Sequence, residues 1–191
     1  MTARLHEVMK SRVAFPGIPK GSHYWWWKFA YREAIRSLTR PKPSQLTQSA
    51  FVSEALSIQE DLEALGTEDV REGIDLSDYV DRIRELGDQA SDSLGNMPDS
   101  LQSSPTAELL QNRSDNMEQW ADNLESVDMD VDEDSLREDA EKEAQDRDDW
   151  DPADGADNSD LIEDILDEKI DERAQEILNE LEGVINDVDI E

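Results

Sequence analysis

Apolar residues recur every three or four positions along most of the chain, the spacing that buries one face of an α-helix. Residues 48–65 and residues 77–94 each have such a stripe. A further helix is predicted to begin at Ser104 and Pro105, because serine caps helices and proline in the first turn lacks an amide donor that would be unpaired there. Two helices separated by a short connector pack most simply as an antiparallel hairpin.

The C-terminal segment has the longest stripe, from a start near Asp160. Its apolar residues follow alternating steps of four and three, through Ile170, Ala174, Ile177, Leu181, Val184 and Val188. These steps are typical of a heptad seam, so the amphipathic helix either packs on its own chain or forms a coiled coil with a second copy or a partner. The candidate partner-binding residues here are Ile170, Ile177, Leu181 and Val184.

Near the N-terminus, the same spacing predicts a helix from Tyr24 to Leu38, preceded by a segment rich in proline and glycine and ended by Pro41. Four cations in and just after this segment lie at intervals of four and would form a basic row, Lys28, Arg32, Arg36 and Arg40, of which the first three are partner-binding candidates. The row is a second candidate partner-binding element.

Trp25, Trp26 and Trp27 are consecutive, so a helix would direct them to different faces. Indole surface would then contact something besides one packing partner. Base stacking, an interfacial membrane helix and docking into a groove of a partner are the functional alternatives. The structural alternative is a helix enclosed by the rest of the chain. We include all three tryptophans among the partner-binding candidates.

Charge divides the chain unevenly. Residues 1–43, here called the basic head, hold nine Lys/Arg and two Asp/Glu, whereas residues 44–191, the acidic body, hold nine Lys/Arg and 47 Asp/Glu. The formal net charge is −31. Such a body repels phosphate, so we expect it to bind no nucleic acid directly. A nucleic-acid-binding enzyme remains a possible partner.

The segment from Asp128 to Asp160 holds sixteen acids and three bases and has few apolar residues. Such a composition predicts disorder or frayed helix. The predicted fold is therefore all-α, a small helical bundle of hairpins with a disordered acidic linker. Its divisions are the basic head (1–43), an acidic helical region (44–127), the linker (128–160) and the C-terminal helix (161–191).

Residues 94–124 resemble a pattern found in uncharacterised small acidic proteins of tailed phages. The residues that carry the resemblance are Asn96, Met97, Pro98, Leu101, Gln102, Pro105, Thr106, Leu109, Leu110, Arg113, Trp120 and Leu124. It implies a phage or mobile-element origin and a helical hairpin, and it implies no activity or cofactor.

The sequence contains no cysteine, and His6 and His23 are its only histidines, so neither a thiol nucleophile nor a histidine-rich metal site is expected. Alternating aspartates from Asp128 to Asp134 resemble a calcium loop, but Glu133 replaces its turn glycine. We expect no catalysis, no cofactor and no metal. No apolar run suits a signal peptide or a membrane span, so we expect an intracellular, cytoplasmic protein that could associate with virions.

The favoured function is a non-enzymatic acidic interaction protein, acting as an assembly adaptor or regulatory factor with a protein partner. The alternative is a DNA mimic, whose carboxylates occupy the positive channel of a nucleic-acid enzyme. Adaptation to high salt would explain the acid excess equally well.

Overall fold

The computed structural model describes residues 2–147, 150 and 155–190, with side chains from residue 158 onward in the last stretch. Helices account for 59% of the chain and strands for 8%, so the protein is mostly helical but not all-α. The described helices are α1 (Ala50–Leu62), α2 (Thr67–Arg71), α3 (Ser77–Gly95), α4 (Pro105–Glu125), α5 (Glu133–Gln145) and α6 (Gly155–Asn186). Short 3-10 turns occupy Pro43–Leu46 and Asp99–Leu101.

The basic head forms a three-stranded antiparallel sheet in the order β1 (His6–Val8), β2 (Tyr24–Trp27), β3 (Ile35–Ser37). The predicted helix from Tyr24 to Leu38 is therefore wrong. Four consecutive aromatic residues favour a pleated strand, and the central strand of a sheet tolerates apolar side chains on both faces. The three-and-four spacing across this segment was coincidental, because Tyr31 lies in the turn between two strands.

The chain divides into two compact units. Unit 1 comprises Met1–Asp61, Arg82–Glu118 and Asp189–Glu191, and unit 2 comprises Leu62–Asp81 and Gln119–Val188. The predicted divisions at residues 43, 127 and 160 mark changes in charge along the sequence. The two units are defined by contacts between residues, so their boundaries differ from these divisions. We describe each unit separately.

Unit 1 joins the sheet to a small helical bundle. Within it α1 contacts α4 through the Arg113 guanidinium, 4.6 Å from the centre of the Phe51 ring, and α1 contacts α3 through Arg82 and Glu54 at 2.8 Å. A Cβ built on Gly87 of α3 would lie 3.3 Å from the Met117 Cβ of α4. These contacts confirm the predicted helices and the hairpin of α3 and α4. As predicted, Ser104 begins α4, since its Oγ accepts a hydrogen bond from the Ala107 amide at 3.3 Å.

Unit 2 is centred on α6, which packs against α5 and α2. The core between α5 and α6 is made by Ala140, Ala144, Ile165, Leu166 and Ile170. The predicted disorder of residues 128–160 is thus wrong for α5, where two alanines one turn apart allow a close helix contact despite the acidic composition. The remainder of that prediction at residues 148, 149 and 151–154 lies outside the described residues.

Candidate interaction surface of the basic head

The sheet of the basic head sorts the aromatic residues onto two faces. The register pairs Trp26 with His6 on one side and with Arg36 on the other, while Trp25 pairs with Glu7 and Ser37. Because side chains alternate along a strand, Trp26 lies on one face and Trp25 and Trp27 lie on the opposite face. The predicted helix would direct the three tryptophans to different faces, whereas the strand places Trp25 and Trp27 on one face and Trp26 on the other.

Ring contacts fix two of these tryptophans. His6 stacks on Trp26 with 4.2 Å between ring centroids and 9° between planes. On the other face His23 meets the edge of Trp25 at 5.4 Å, and its Nε2 lies 2.8 Å from Oε1 of Glu7. Such aromatic pairs add stability beyond the area that they bury. Trp25 and Trp26 are half-buried as a result.

Trp27 is a core residue. Only 4% of its surface is exposed, and its indole Nε1 is buried without a hydrogen-bond acceptor among the described residues. Of the three predicted tryptophans, Trp25 and Trp26 thus keep surface for a partner, and Trp27 holds the sheet together.

The predicted basic row does not form. Lys28 directly follows β2, Arg32 lies in the turn before β3 and Arg36 lies within β3. Helical spacing had placed them side by side, and the strands separate them. All three remain exposed, and the Arg36 guanidinium lies 4.2 Å from the centre of the Phe15 ring.

The cations of the basic head differ from those of unit 2 in their pairing. Lys42 Nζ lies 3.8 Å from Oε2 of Glu60, but no carboxylate in the described part of the chain lies within salt-bridge distance of the other eight Lys and Arg residues of the head. The Arg40 guanidinium instead lies 5.7 Å from the Trp25 ring centroid. Eight of the nine head cations therefore lack a salt bridge to a carboxylate in the described part of their own chain.

Exposed apolar side chains are concentrated in the same segment. Seven large apolar side chains are exposed in the described residues, and five of them belong to the basic head: Met9, Val13, Tyr31, Ile35 and Leu38. Tyr31 is fully exposed and has a φ of 61°, in the left-handed region that side chains other than glycine seldom adopt. Sequence reasoning did not identify Met9, Val13 or Tyr31 as partner-binding residues, and only the proline and glycine around residues 16–21 signalled a turn-rich region.

The predicted C-terminal partner-binding residues lie in the core of unit 2. Ile170, Ile177 and Leu181 are buried, and Val184 is half-buried. Of the two alternatives for this helix, the structure shows packing on its own chain, so these side chains offer little surface to another protein.

Unit 2 concentrates the negative charge, with 35 Asp/Glu and six Lys/Arg, a formal charge of −29, against −2 for unit 1. All six cations are salt-bridged. Arg71 illustrates the pattern, with nitrogens 2.7 Å from Asp167 and 2.8 Å from Asp171, contacts that raise its pKa despite partial desolvation.

Salt bridges also perturb the acids of unit 2. The pKa of Glu143 is lowered by hydrogen bonds from Lys169 first and from Arg147 second. Lys169 Nζ lies 2.9 Å from Oε2 of Glu143, and its pKa is raised by the same contact.

The described residues offer no arrangement for metal chemistry. No group of three or more His, Asp or Glu side chains in this part of the chain is placed to hold a metal ion. Asp132, at the centre of the calcium-like sequence, caps α5 by accepting a hydrogen bond from the Ser135 amide at 3.0 Å. Among the described helices, none combines the length and apolar character needed to cross a bilayer.

No family model, curated protein or solved structure matches the chain.

Proposed function

We propose that this protein is a non-enzymatic adaptor, of phage or mobile-element type, that docks on a protein partner through the basic head. The observation that carries the proposal is that cations without a salt-bridge partner and exposed apolar side chains occur together in one segment of a strongly acidic chain. Exposed apolar patches that are rimmed by polar residues mark protein interaction sites. The resemblance of residues 94–124 to acidic phage proteins supports the origin.

The charges of the head indicate the chemistry of the partner. Lys28, Arg32 and Arg36 are exposed on the same stretch of chain as the exposed Tyr31, so a complementary surface would present carboxylates and an apolar pocket that receives Tyr31. Tyrosine and arginine are enriched among the residues that dominate binding energy at interfaces. An acidic protein surface therefore fits better than a neutral one.

Affinity capture from a host lysate tests this proposal, with the full chain as bait and bound proteins identified by mass spectrometry. Tyr31→Ser and Arg32→Glu should each reduce recovery of the partner at least tenfold. Matched controls are Leu101→Ser, which changes an exposed apolar residue outside the head, and Lys142→Glu, which reverses an exposed cation of unit 2. Equal loss with a control and its matched head variant would overturn docking through the head.

A second candidate, the DNA mimic, is favoured by the carboxylates of α6. Ten exposed acids lie between Asp160 and Glu182, over an axial length of about 33 Å at roughly 1.5 Å per residue. Their mean axial spacing of about 3.7 Å is close to the roughly 3.4 Å between phosphates along one strand of a duplex. Four of them at successive turns have no salt-bridge partner among the described residues: Asp160, Asp164, Glu168 and Glu172.

The same capture experiment separates the two candidates. A mimic would recover a nucleic-acid enzyme that excess duplex DNA displaces, and Asp164→Lys with Glu168→Lys would abolish recovery. An adaptor would retain its partner in the presence of DNA and would tolerate these two changes. Retention in DNA combined with sensitivity to Arg32→Glu would exclude the mimic.

A further inference from the structure

Unit 1 contains a pocket that the adaptor function does not use. It has a volume of about 550 Å³, within the range of roughly 300–1,000 Å³ that accommodates small molecules. Its walls come from the residues preceding β1, from the segment around the first 3-10 turn, from α1 and from the C-terminal segment. The apolar side chains in these walls include Leu5, Leu46, Val52, Leu56 and Ile190.

The lining of the pocket also includes two cations, Arg40 and Lys42. Both are exposed on the surface, and Arg40 has no carboxylate partner in the described part of the chain. Its guanidinium lies 5.7 Å from the centre of the Trp25 ring, within the distance of a cation–π contact.

Glu60 reduces the charge beside Lys42. Its Oε2 lies 3.8 Å from Lys42 Nζ, and both its oxygens accept hydrogen bonds from Ser44, from the amide at 2.9 Å and from Oγ at 2.8 Å. Glu60 thus offsets part of the positive charge that Arg40 and Lys42 bring to the pocket. A ligand with one negative charge and an apolar body matches this combination.

The C-terminal segment completes the pocket. Asn116 Nδ2 donates a hydrogen bond to the carbonyl oxygen of Asp189 at 2.9 Å, which places the next residue, Ile190, among the lining side chains. A hydrogen bond to α4 thus anchors this wall, and Ile190 contributes an apolar side chain to the pocket lining.

We propose that this pocket binds an amphipathic monocarboxylate, such as a medium-chain fatty acid. The carboxylate pairs with Arg40 and Lys42, and the hydrocarbon chain occupies the apolar interior. Charge complementarity selects the acid over the corresponding alcohol, and burial of methylenes selects longer chains until the pocket is filled.

Calorimetric titration of the full chain with octanoate, below its micelle concentration, tests the proposal. We expect one site, at least tenfold weaker binding of octanol, and affinity that rises about fourfold per added methylene from hexanoate to octanoate. No binding of octanoate, or equal binding of octanol, would overturn the proposal. So would binding of an amidated apolar peptide without binding of octanoate, which would assign the pocket to protein docking.

Two variants locate the site. Arg40→Gln and Ile190→Glu should each weaken octanoate binding at least tenfold. The matched controls are Arg36→Gln, another guanidinium over an aromatic ring, and Leu38→Glu, another apolar residue of unit 1 outside the pocket. Equal weakening by Arg36→Gln would indicate diffuse attraction by the head and would overturn the assignment. Circular dichroism and urea midpoints establish that each variant is folded.

Discussion

Gly87 lies inside α3, where alanine would ordinarily be the better residue. Replacing glycine with alanine in a helix interior stabilises it by up to about 1 kcal/mol, because glycine loses more backbone entropy on folding. Gly87 nevertheless faces α4 at close range. A Cβ there would lie 3.3 Å from the Met117 Cβ and 3.5 Å from the carbonyl oxygen of Ser114. The first distance is shorter than the normal separation of about 3.5–4.0 Å between carbon atoms.

The Met117 Cβ cannot move without its backbone, and the residue is fully buried. Relief would therefore require α3 and α4 to separate by a few tenths of an ångström. Overpacking of this kind costs roughly 1–3 kcal/mol. The gain in helix propensity offsets part of this overpacking cost. Gly87→Ala should therefore lower the free energy of unfolding by about 0–2 kcal/mol.

Two glycines provide matched controls. Gly95 ends the same helix and Gly183 lies in α6, and an added Cβ would meet nothing within 4 Å at either position. Gly183→Ala should stabilise unit 2 by about 0.5–1 kcal/mol, and Gly95→Ala should be neutral or slightly stabilising because a helix end gains less. Urea unfolding followed by tryptophan fluorescence and circular dichroism measures all three. A gain for Gly87→Ala equal to that for Gly183→Ala would refute the close contact of α3 and α4.

Four further outcomes are expected. Tyr31→Asn should raise the free energy of unfolding by about 0.5–1 kcal/mol, because asparagine adopts a left-handed φ at lower cost, and yet reduce capture of the partner; unchanged capture would exclude Tyr31 from the interface. Arg82→Leu should cost about 1 kcal/mol or less, and a double-mutant cycle with Glu54→Gln should show coupling; additive effects would contradict that ion pair. Glu143 has a pKa below its ordinary value of 4.5, so its stabilisation is present above pH 4.5 and is lost as the pH falls through the lower folded value; NMR titration should show this low midpoint, and Lys169→Gln should raise it. The urea midpoint of unit 2 should rise from 0.05 to 1 M NaCl, because screening weakens repulsion among its acids; a fall would mean that its salt bridges dominate.

The helices with apolar stripes were predictable from the sequence. The stripes at 48–65 and 77–94 correspond to Ala50–Leu62 and Ser77–Gly95, and the serine and proline before residue 106 mark the start of α4. The periodicity predicted these helices correctly because each of them buries one face, and the apolar stripe in the sequence is that face. The buried face of α6 followed the same rule.

The two errors in the predicted secondary structure have separate physical causes. At Tyr24–Trp27 a run of aromatic residues is compatible both with a helix and with a strand that has apolar side chains on both faces. The strand forms because this segment pairs with β1 and β3. At Glu133–Gln145 the acidic composition concealed a helix whose contact depends on Ala140 and Ala144. Small side chains contribute little to hydropathy, but they allow helices to approach closely.

The candidate sites were only partly visible in the sequence. The cations and tryptophans of the basic head stood out by composition, but the exposure of Tyr31 depends on a turn between strands that were not predicted. The pocket could not be predicted, since its walls come from residues near positions 2, 40, 52 and 190. Only tertiary contacts bring such distant positions together.

The pattern of salt bridges distinguishes two roles for the charged residues that composition alone cannot separate. One role is to neutralise or solubilise the chain, and the other is to attract a partner. If the acid excess served only to neutralise cations or to keep the chain in solution, the head cations would be expected to have carboxylate partners, as all six cations of unit 2 do. Eight of the nine head cations have none among the described residues, although the chain contains 49 acids. Cations without a carboxylate partner can attract an external anionic surface. This attraction raises the rate of association at low ionic strength. Salt should therefore weaken capture of the partner through the head while it stabilises unit 2. In a protein adapted to high salt, capture and the stability of unit 2 would both increase, so opposite responses favour an adaptor.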